Sequence, residues 1–223
     1  MDYATSAPIP GEKIVGMWQF NDDVAARFDT EARTHIPHYE HVIQMCLDVA
    51  LHTHDRQTAR VIDVGSATGY TLEQFFTAGF KCVQGVENAP SMIKRSRMRE
   101  CVIFSDTFPR RGVFDVVLAN WTLHFIRDRA AYIRDMYDAM SDGGTIILTD
   151  KMATNTLVRD QYHAWKRSVG VSAEEIARKE AALAGVLTTK PLEWYLESLR
   201  NVGFKDVRVM HEAYCFATLV ARK

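Results

Sequence analysis

The chain has 223 residues, of which 47% are hydrophobic and 25% are charged. This composition is ordinary for a folded globular protein and excludes an intrinsically disordered chain, and the length predicts a single domain over 1–223. The 27 Lys and Arg residues nearly balance the 28 Asp and Glu residues. Because a net charge of −1 gives no bulk attraction for nucleic acid, we expect no direct nucleic-acid binding.

Hydropathy and cysteine usage bear on location. No run of about 18 apolar residues is present, so we expect no membrane-spanning segment. Residues 1–11 lack the basic and apolar stretches of a signal peptide. The four cysteines are scattered and form no CxxC pair, which is typical of reduced thiols and predicts a cytoplasmic protein.

The first two thirds of the chain alternate between helical and strand patterns. An N-terminal helical segment is predicted over 12–55, with helices at 22–28 and 39–50. Further helices are predicted at 71–78, 90–99 and 130–140, the last stopped by the sequence SDGG at 141–144. Apolar runs predict strands at 60–65, 82–87, 101–104, 114–119 and 145–149. Short apolar strands separated by helices predict a parallel sheet covered on both faces.

The last third has a different pattern. Residues 154–190 are a predicted helical insertion, which we interpret as a lid, and a helix at 192–202 follows. Strands at 207–211 and 216–221 then predict a terminal antiparallel hairpin. The whole layout predicts an α/β fold of the Rossmann-like class I methyltransferase type, with a seven-stranded, mostly parallel sheet. A nicotinamide-binding Rossmann fold would more often end in a sixth parallel strand.

A glycine-containing loop follows the first predicted strand. It contains Asp63, Gly65, Ser66, Ala67 and Gly69. A glycine at a strand end permits a sharp turn and a close approach of ligand to backbone. The spacing differs from the dinucleotide GxGxxG pattern and corresponds to the GxGxG form of S-adenosylmethionine (SAM) sites, with Ala67 for the middle glycine. The alternative is a purely structural turn.

Polar residues end three other strands. Glu87, followed by Asn88, ends the second strand, where an acid accepts hydrogen bonds from both ribose hydroxyls of a nucleoside. The alternative for Glu87 is a solvated strand end. Asp106 follows the third strand, where such folds place an acid or amide against the adenine amino group. Asn120 ends the fourth strand and is a candidate contact to the methionine part of SAM.

Histidines and basic residues raise further possibilities. His124 could act as a general base, because its ordinary pKa suits proton removal, or could form pocket wall or surface. His35, His38 and His41 are three residues apart, but Pro37 interrupts their helical face, so we predict no metal site. A basic cluster is more typical of a solvated helix end than of a phosphate or RNA site. It comprises Lys94, Arg95, Arg97, Arg99, Arg110 and Arg111.

Over nearly its whole length the chain resembles the carboxy-S-adenosylmethionine synthase family. The matching residues are 6–9, Trp18-x-Phe20-x-Asp22-x-Val24-Ala25-x-x-Phe28, Pro37-x-Tyr39, Asp63-x-Gly65, 88–95, Asn120-x-Thr-Leu-x-Phe, Lys151, Glu175-Ile176, Val186-x-Thr188, Gly203-Phe204 and 219–221. The N-terminal part of this pattern is the specific part, since generic methyltransferases lack it.

The resemblance implies a fold, a cofactor and a reaction. The family makes carboxy-SAM from SAM and prephenate, and a partner enzyme uses the product to modify a tRNA wobble uridine. The resemblance also implies a homodimer. The family's cofactor positions correspond here to Tyr39, Gly65 to Ala67, Glu87, Asn88, Asp106, Thr107 and Asn120. Tyr39 is therefore also a candidate catalytic residue.

One position departs from the family pattern. Where the family holds the carboxylate of carboxy-SAM with an Arg, this chain has Glu180. At about 4 Å and an effective dielectric of about 20, like charges repel by about 4 kcal/mol, or roughly a thousandfold in affinity. Arg178 is two residues away on a helix and faces another side. Glu180 beside the sulfonium would favour unmodified SAM.

Three functions are compatible with these features. The first is a SAM-dependent methyltransferase acting on an unidentified small molecule, with Glu180, His124 and Tyr39 as candidate catalytic residues. The second is a carboxy-SAM synthase in which Lys151 or Arg159 binds prephenate. The third is a SAM-binding protein without turnover, against which the lid and the intact loop argue.

Overall fold

The computed structural model describes residues 18–109 and 113–223. Residues 6–9 of the family pattern, the start of the 12–55 segment, and Arg110 and Arg111 of the basic cluster lie outside the described residues. Within the described ranges no helix is long and apolar enough to cross a membrane.

Seven strands form one mixed sheet in the order β3-β2-β1-β4-β5-β7-β6. The strands are β1 Arg60–Val64, β2 Cys82–Glu87, β3 Val102–Phe104, β4 Phe114–Asn120, β5 Met140–Lys151, β6 Lys205–Ala213 and β7 Phe216–Arg222. Strands β1 to β5 are parallel, and β7 is antiparallel to both β5 and β6. This confirms the predicted Rossmann-like methyltransferase sheet with its terminal hairpin. The order reverses between β1 and β4, which opens a crevice at their carboxyl ends.

Eight α-helices cover the sheet in the described ranges. They are α1 Asp22–His35, α2 Tyr39–Thr53, α3 Tyr70–Thr77, α4 Pro90–Arg95, α5 Arg129–Asp138, α6 Thr156–Ser168, α7 Ala173–Leu183 and α8 Leu192–Val202. Side chains of Asn21, Asn155 and Ser172 accept hydrogen bonds from first-turn amides and so define the starts of α1, α6 and α7. Gly203 ends α8 in the left-handed region.

Both faces of the sheet are buried. Ile62 of β1 belongs to an apolar cluster with α5 and α8, which contains the fully buried Tyr195. Val61 faces the other side, where Phe75 of α3 and Leu47 of α2 pack. These two layers explain why β1 is buried at every position after Arg60 and why its sequence is continuously apolar up to Asp63.

Several predicted boundaries are wrong, and long-range contacts explain why. The helix predicted at 22–28 continues to His35, because Ala32 packs against Tyr39 and Ile43 although its neighbours are polar. The strand predicted at 145–149 begins at Met140. The SDGG sequence therefore ends no helix and lies in β5, where the backbones of Gly143 and Gly144 pair with the distant C-terminal residue, Lys223.

The helix predicted at 90–99 ends at Arg95. The Arg97 amide instead donates to the Thr68 carbonyl oxygen at 3.0 Å. Its guanidinium group forms ion pairs with Asp29 at 2.6 Å and Glu73 at 2.7 Å. Arg97 therefore links α1, α3 and the glycine-containing loop, and the prediction of a solvated helix end is wrong for this residue.

The insertion predicted at 154–190 forms α6, α7 and a return segment over the carboxyl edge of the sheet. Tyr162 of α6 packs with Cys215 and Phe216 at the start of β7, and its hydroxyl donates to the His35 carbonyl oxygen at 2.5 Å. The insertion is thus attached to both α1 and the terminal hairpin, and it encloses the crevice between them.

Candidate functional site

A cavity of about 520 Å³ lies at the carboxyl ends of β1, β2 and β4. Helix α1 and the insertion helices α6 and α7 enclose it from the other side. Its wall includes most of the residues predicted to form the site, namely Tyr39, Asp63, Gly65, Ser66, Ala67, Glu87, Asn88, Asp106, Asn120, His124 and Glu180. The fold therefore brings residues from six separate elements to one enclosed space.

The glycine-containing loop forms the floor of the cavity. Gly65 has φ +70°, and a Cβ atom there would lie 2.2 Å from Thr122 Oγ1, so only glycine fits. The Gly65 and Ser66 amides both donate to the Val86 carbonyl oxygen, at 2.8 and 3.1 Å. Ala67 also has positive φ, +47°, which is the backbone conformation that explains glycine at this place in the GxGxG form.

Two of the predicted cofactor residues lie off the cavity wall. Gly69, at φ +78°, is the N-cap of α3, and a Cβ atom there would lie 2.5 Å from Ser96 Oγ. Thr107 forms hydrogen bonds with Ser105, through its amide at 3.1 Å and its hydroxyl at 3.2 Å. Ser105 and Asp106 line the cavity whereas Thr107 does not.

Acidic side chains dominate the half of the cavity nearest β1 and β2. Glu87 accepts hydrogen bonds from the amides of Ala67, Asn88 and Ala89, at 2.8 to 2.9 Å, and burial raises its pKa. Asp63 is 3% exposed. Burial, and then the charge of Glu87, raise the pKa of Asp63 to about 8. Neither carboxylate has a salt-bridge partner within 4.0 Å in the described part of the chain, so this half would favour a cationic, hydroxyl-bearing ligand.

Aromatic side chains also line the cavity, among them Tyr39 and Trp121. The Tyr39 and Trp121 ring centroids are 4.8 Å apart. Burial raises the pKa of Tyr39 well above its ordinary value, so its hydroxyl stays protonated and can donate a hydrogen bond but cannot act as a base. Asn120 is buried, and its amide donates to Cys46 Sγ at 3.6 Å.

Basic side chains dominate the opposite half. Lys166 of α6 and Lys151 at the end of β5 lie 4.3 and 5.2 Å from the ring centroid of Tyr162. Lys166 is 4% exposed, and burial, then the charge of Lys151, lower its pKa to about 8. Within 18–109 and 113–223, neither ammonium group lies within 4.0 Å of a carboxylate. Lys179 also lines the cavity but pairs with Glu31 at 2.9 Å.

Glu180 lies at the rim of the basic half. It lines the cavity, and its carboxylate is 2.7 Å from His163 Nε2, with 44% of the side chain exposed. Arg178 and Arg159, the other cations considered from the sequence, are exposed and do not line the cavity. Of the residues considered for prephenate, only Lys151 therefore reaches the site. Lys166 was missed because it lies within a polar helical run that shows no motif.

The histidines fall into separate groups. His35 lies against the cavity, whereas His38 and His41 lie on the outer surface near His211, with His38 Nδ1 3.0 Å from His211 Nε2. No group of three or more metal-ligating side chains suited to a metal occurs among the residues that the structure describes.

His124 lines the cavity, and its Nδ1 contacts the buried carboxylate of Asp150. Asp150 was not among the predicted residues.

Comparisons with known proteins give the family. Residues 35–207 match the family model described as a methyltransferase domain. A carboxy-S-adenosyl-L-methionine synthase from Wolinella succinogenes is 30% identical, with 95% of this chain and 96% of that protein covered. The protein of the same name from Helicobacter hepaticus is 29% identical, with 92% and 95% covered.

Solved structures agree on the fold. The magnesium protoporphyrin IX methyltransferase of Synechocystis, solved with bound S-adenosylhomocysteine, gives a TM-score of 0.64 at 14% identity, over 92% of this chain and 96% of that one. A possible histamine N-methyltransferase from Thermotoga maritima gives 0.61 at 17% identity, over 93% and 100%. At such low sequence identity, these structures support the fold only. The family matches go further: the chain belongs to the carboxy-S-adenosyl-L-methionine synthase family and is a SAM-dependent transferase built on the methyltransferase domain.

Proposed function

We propose that the protein transfers the sulfonium methyl group of SAM to a small organic anion. The observation that carries this proposal is the pair Lys151 and Lys166, which line the cavity with no carboxylate within 4.0 Å among the described residues, although the charge of Glu180 acts on Lys166 from farther away. A buried cation without a counter-ion is costly, and an anionic ligand would reduce that cost. The lowered pKa of Lys166 reflects the same unfavourable burial.

The acidic half of the cavity fits SAM. Gly65 permits the sharp turn, at φ +70° and in contact with the Thr122 side chain, that brings the loop backbone to the cavity wall. Glu87 already accepts three backbone hydrogen bonds, two on Oε1 and one on Oε2, so its orientation is fixed before a ribose arrives, and Oε2 keeps one lone pair for a ribose hydroxyl. Asp63 lies beside Glu87 with a pKa raised by burial to about 8, and a cationic ligand would lower that pKa and favour the ionised carboxylate. SAM, when bound, supplies the electrophilic methyl group.

Charge separation across the cavity would orient the two substrates. The cationic cofactor is attracted to the half with Asp63 and Glu87, and the anion is attracted to Lys151 and Lys166. At an effective dielectric of about 20, each such attraction at about 4 Å is worth about 4 kcal/mol before desolvation. The two ligands would then meet near Trp121 and Phe125, between the halves. Proximity and alignment of this kind supply much of the catalysis in a displacement reaction.

Carboxy-SAM synthesis is the second candidate, and the names of the curated relatives favour it. In that reaction the anion would be a carboxyl donor rather than a methyl acceptor. Glu180 opposes a carboxylate at the rim, but it is paired with His163, and its charge also acts on the nearby Lys166. The charge reversal predicted from the sequence is therefore weaker than an isolated acid would produce.

Mass analysis of the cofactor distinguishes the candidates. The protein is incubated with SAM alone, with SAM and prephenate, and with SAM and a panel of small carboxylic acids. Methyl transfer converts SAM to S-adenosylhomocysteine, whereas carboxy-SAM synthesis adds one carboxylate to the cofactor. The proposed methyl transfer fails if carboxy-SAM is the only product, or if no product forms with any anion. Lys166→Met should abolish turnover whether the reaction is methyl transfer or carboxy-SAM synthesis. Lys205→Met, which removes an exposed lysine on β6, is the matched control.

A further inference from the structure

A buried polar network lies directly behind the cavity wall, at the end of β5. Its centre is Asp150, which is fully buried. Asp150 Oδ1 contacts His124 Nδ1, and Asp150 Oδ2 accepts a hydrogen bond from the Tyr195 hydroxyl at 2.6 Å. Both oxygens of a fully buried carboxylate are therefore occupied by fixed groups, which is the arrangement that holds an imidazole in one orientation.

Arg129 completes this network and connects it to the insertion. Its Nη1 donates to the Tyr195 hydroxyl at 3.2 Å, and its Nη2 donates to the carbonyl oxygen and hydroxyl of Thr188. The Thr188 amide in turn donates to the His124 carbonyl oxygen at 2.9 Å. The return segment of the insertion is thus attached to His124 itself.

The network fixes the tautomer of His124. Asp150 accepts hydrogen bonds, so the contacting Nδ1 of His124 carries the proton and Nε2 keeps its lone pair. Nε2 has no hydrogen-bond partner in the described ranges. His124 is 4% exposed and lines the cavity, so the Nε2 edge, opposite the edge held by Asp150, is the part of the ring left for a ligand.

Other candidate bases in the cavity are less suited. His35 is buried, and burial and the charges of Lys179 and Lys166 lower its pKa to about 4, which makes it a weak base at neutral pH. Glu87 is occupied by three backbone amides. His124 alone among these three combines an exposed lone pair with a carboxylate behind it, the pattern of a histidine base oriented by an acid.

We propose that His124 is the catalytic base, that Asp150 is its positioning residue, and that the acceptor is an anion bearing a hydroxyl group. This inference rests on the proposed methyl transfer. The hydroxyl proton moves to His124 Nε2 as the new oxygen–carbon bond forms. The methyl–sulfur bond breaks and leaves its electron pair on sulfur, and the imidazolium then releases the proton to water. A carboxylate acceptor has no proton to lose and would leave this base without a role.

The test compares hydroxy acids with the same acids lacking the hydroxyl. The probes are 4-hydroxybenzoate and lactate, beside benzoate and propionate, and the readout is formation of S-adenosylhomocysteine and the position of the transferred methyl group. Wild type should methylate the oxygen of a hydroxy acid and neither control acid. His124→Gln, which keeps a donor toward Asp150, should lower kcat by at least about a hundredfold while SAM affinity is retained.

Asp150 is tested by a readout that a purely structural role would leave unchanged. Long-range ¹H–¹⁵N spectra of the histidine rings should show Nδ1–H at His124 in wild type and loss of that single tautomer in Asp150→Asn. Asp150→Asn should also shift the acidic limb of the pH profile of kcat, because a general base must be unprotonated to act, and Asp150→Glu should restore part of the rate. An unchanged tautomer or an unchanged profile would overturn the positioning role.

The outcomes also separate this inference from the proposed function. If carboxylates bind through Lys166 and are methylated on the carboxylate oxygen, the proposed methyl transfer to an anion holds, but the proposed role of His124 as catalytic base is wrong. If SAM binds but neither hydroxy acid is methylated while another class of compound is, the acceptor class is wrong. If carboxylates do not bind and no methyl transfer occurs, the proposed function itself fails.

Discussion

The two halves of the cavity are built in different ways. The acidic half lies on adjacent parallel strands, and its loop, Asp63 and Glu87 occur within 25 residues of chain. The basic half combines Lys151 from β5, Lys166 from α6 and Tyr162 between them, all in or next to the helical insertion. The acidic half thus depends on local features of the sheet, whereas the basic half depends on how the insertion packs over it.

Removal of the basic charge should have the largest effect. Lys166→Met is expected to weaken anion binding by about 2–5 kcal/mol, because truncation of one partner leaves the other charge buried and unpaired. SAM affinity should change little. The variant should be as stable as wild type or more so, since it removes a buried charge without a partner. Calorimetric titration with benzoate measures anion affinity, and thermal unfolding measures stability, with Lys205→Met as the control. A destabilised Lys166→Met variant with normal anion affinity would contradict the role of Lys166 as the anion-binding residue.

A change in the acidic half should affect the other ligand. Glu87→Ala is expected to weaken SAM binding by about 1–3 kcal/mol, through loss of hydrogen bonds to a charged acceptor. Anion affinity should stay near the wild-type value. Calorimetry with SAM measures the effect. Glu73→Ala, on the outer side of α3 and paired with Arg97, removes an acid outside the cavity wall and serves as the control. Unchanged SAM affinity in Glu87→Ala would refute the ribose role.

A change at the rim should have a smaller effect. Glu180→Arg is expected to shift the preference between SAM and carboxy-SAM toward carboxy-SAM by about 1 kcal/mol, or roughly fivefold. The sequence alone suggested about a thousandfold, but a half-exposed acid paired with His163 is partly screened by solvent. Competition binding of both cofactors to wild type and variant measures the shift. An equal preference in both proteins would remove Glu180 from the specificity argument.

Loss of dimerisation should have the smallest effect on ligand binding in either half of the cavity. The family resemblance predicts a homodimer, and Leu157 on α6, 69% exposed, offers apolar surface on the insertion. Light scattering at micromolar concentration should give a dimeric mass, and Leu157→Glu should lower it without loss of SAM affinity. A monomeric mass for wild type would count against the prediction.

The sequence predicts the acidic half better than the basic half for a physical reason. Gly65, Asp63 and Glu87 belong to local patterns, in which a strand end and a turn determine where each side chain lies. Lys166 and Asp150 are functional candidates only because chain segments far apart meet, and neither lies in a recognisable motif. The same reason explains the length of β5, which is extended by pairing of Gly143 with the distant Lys223.

The central claim is that the buried Lys166, which has no carboxylate within 4.0 Å in the described part of the chain, binds an anionic substrate. The pH dependence of anion affinity tests this claim most directly. The pKa of Lys166 is lowered to about 8 from the ordinary value of 10.5, so the folded protein loses this proton before the unfolded chain does. Stability should therefore rise as pH increases between these two values. Benzoate affinity, measured calorimetrically from pH 7 to 10, should fall above about pH 8 in wild type. The Lys166→Met variant should bind benzoate weakly at every pH. Wild-type affinity that stays constant to pH 10, or a fall retained in Lys166→Met, would contradict the account.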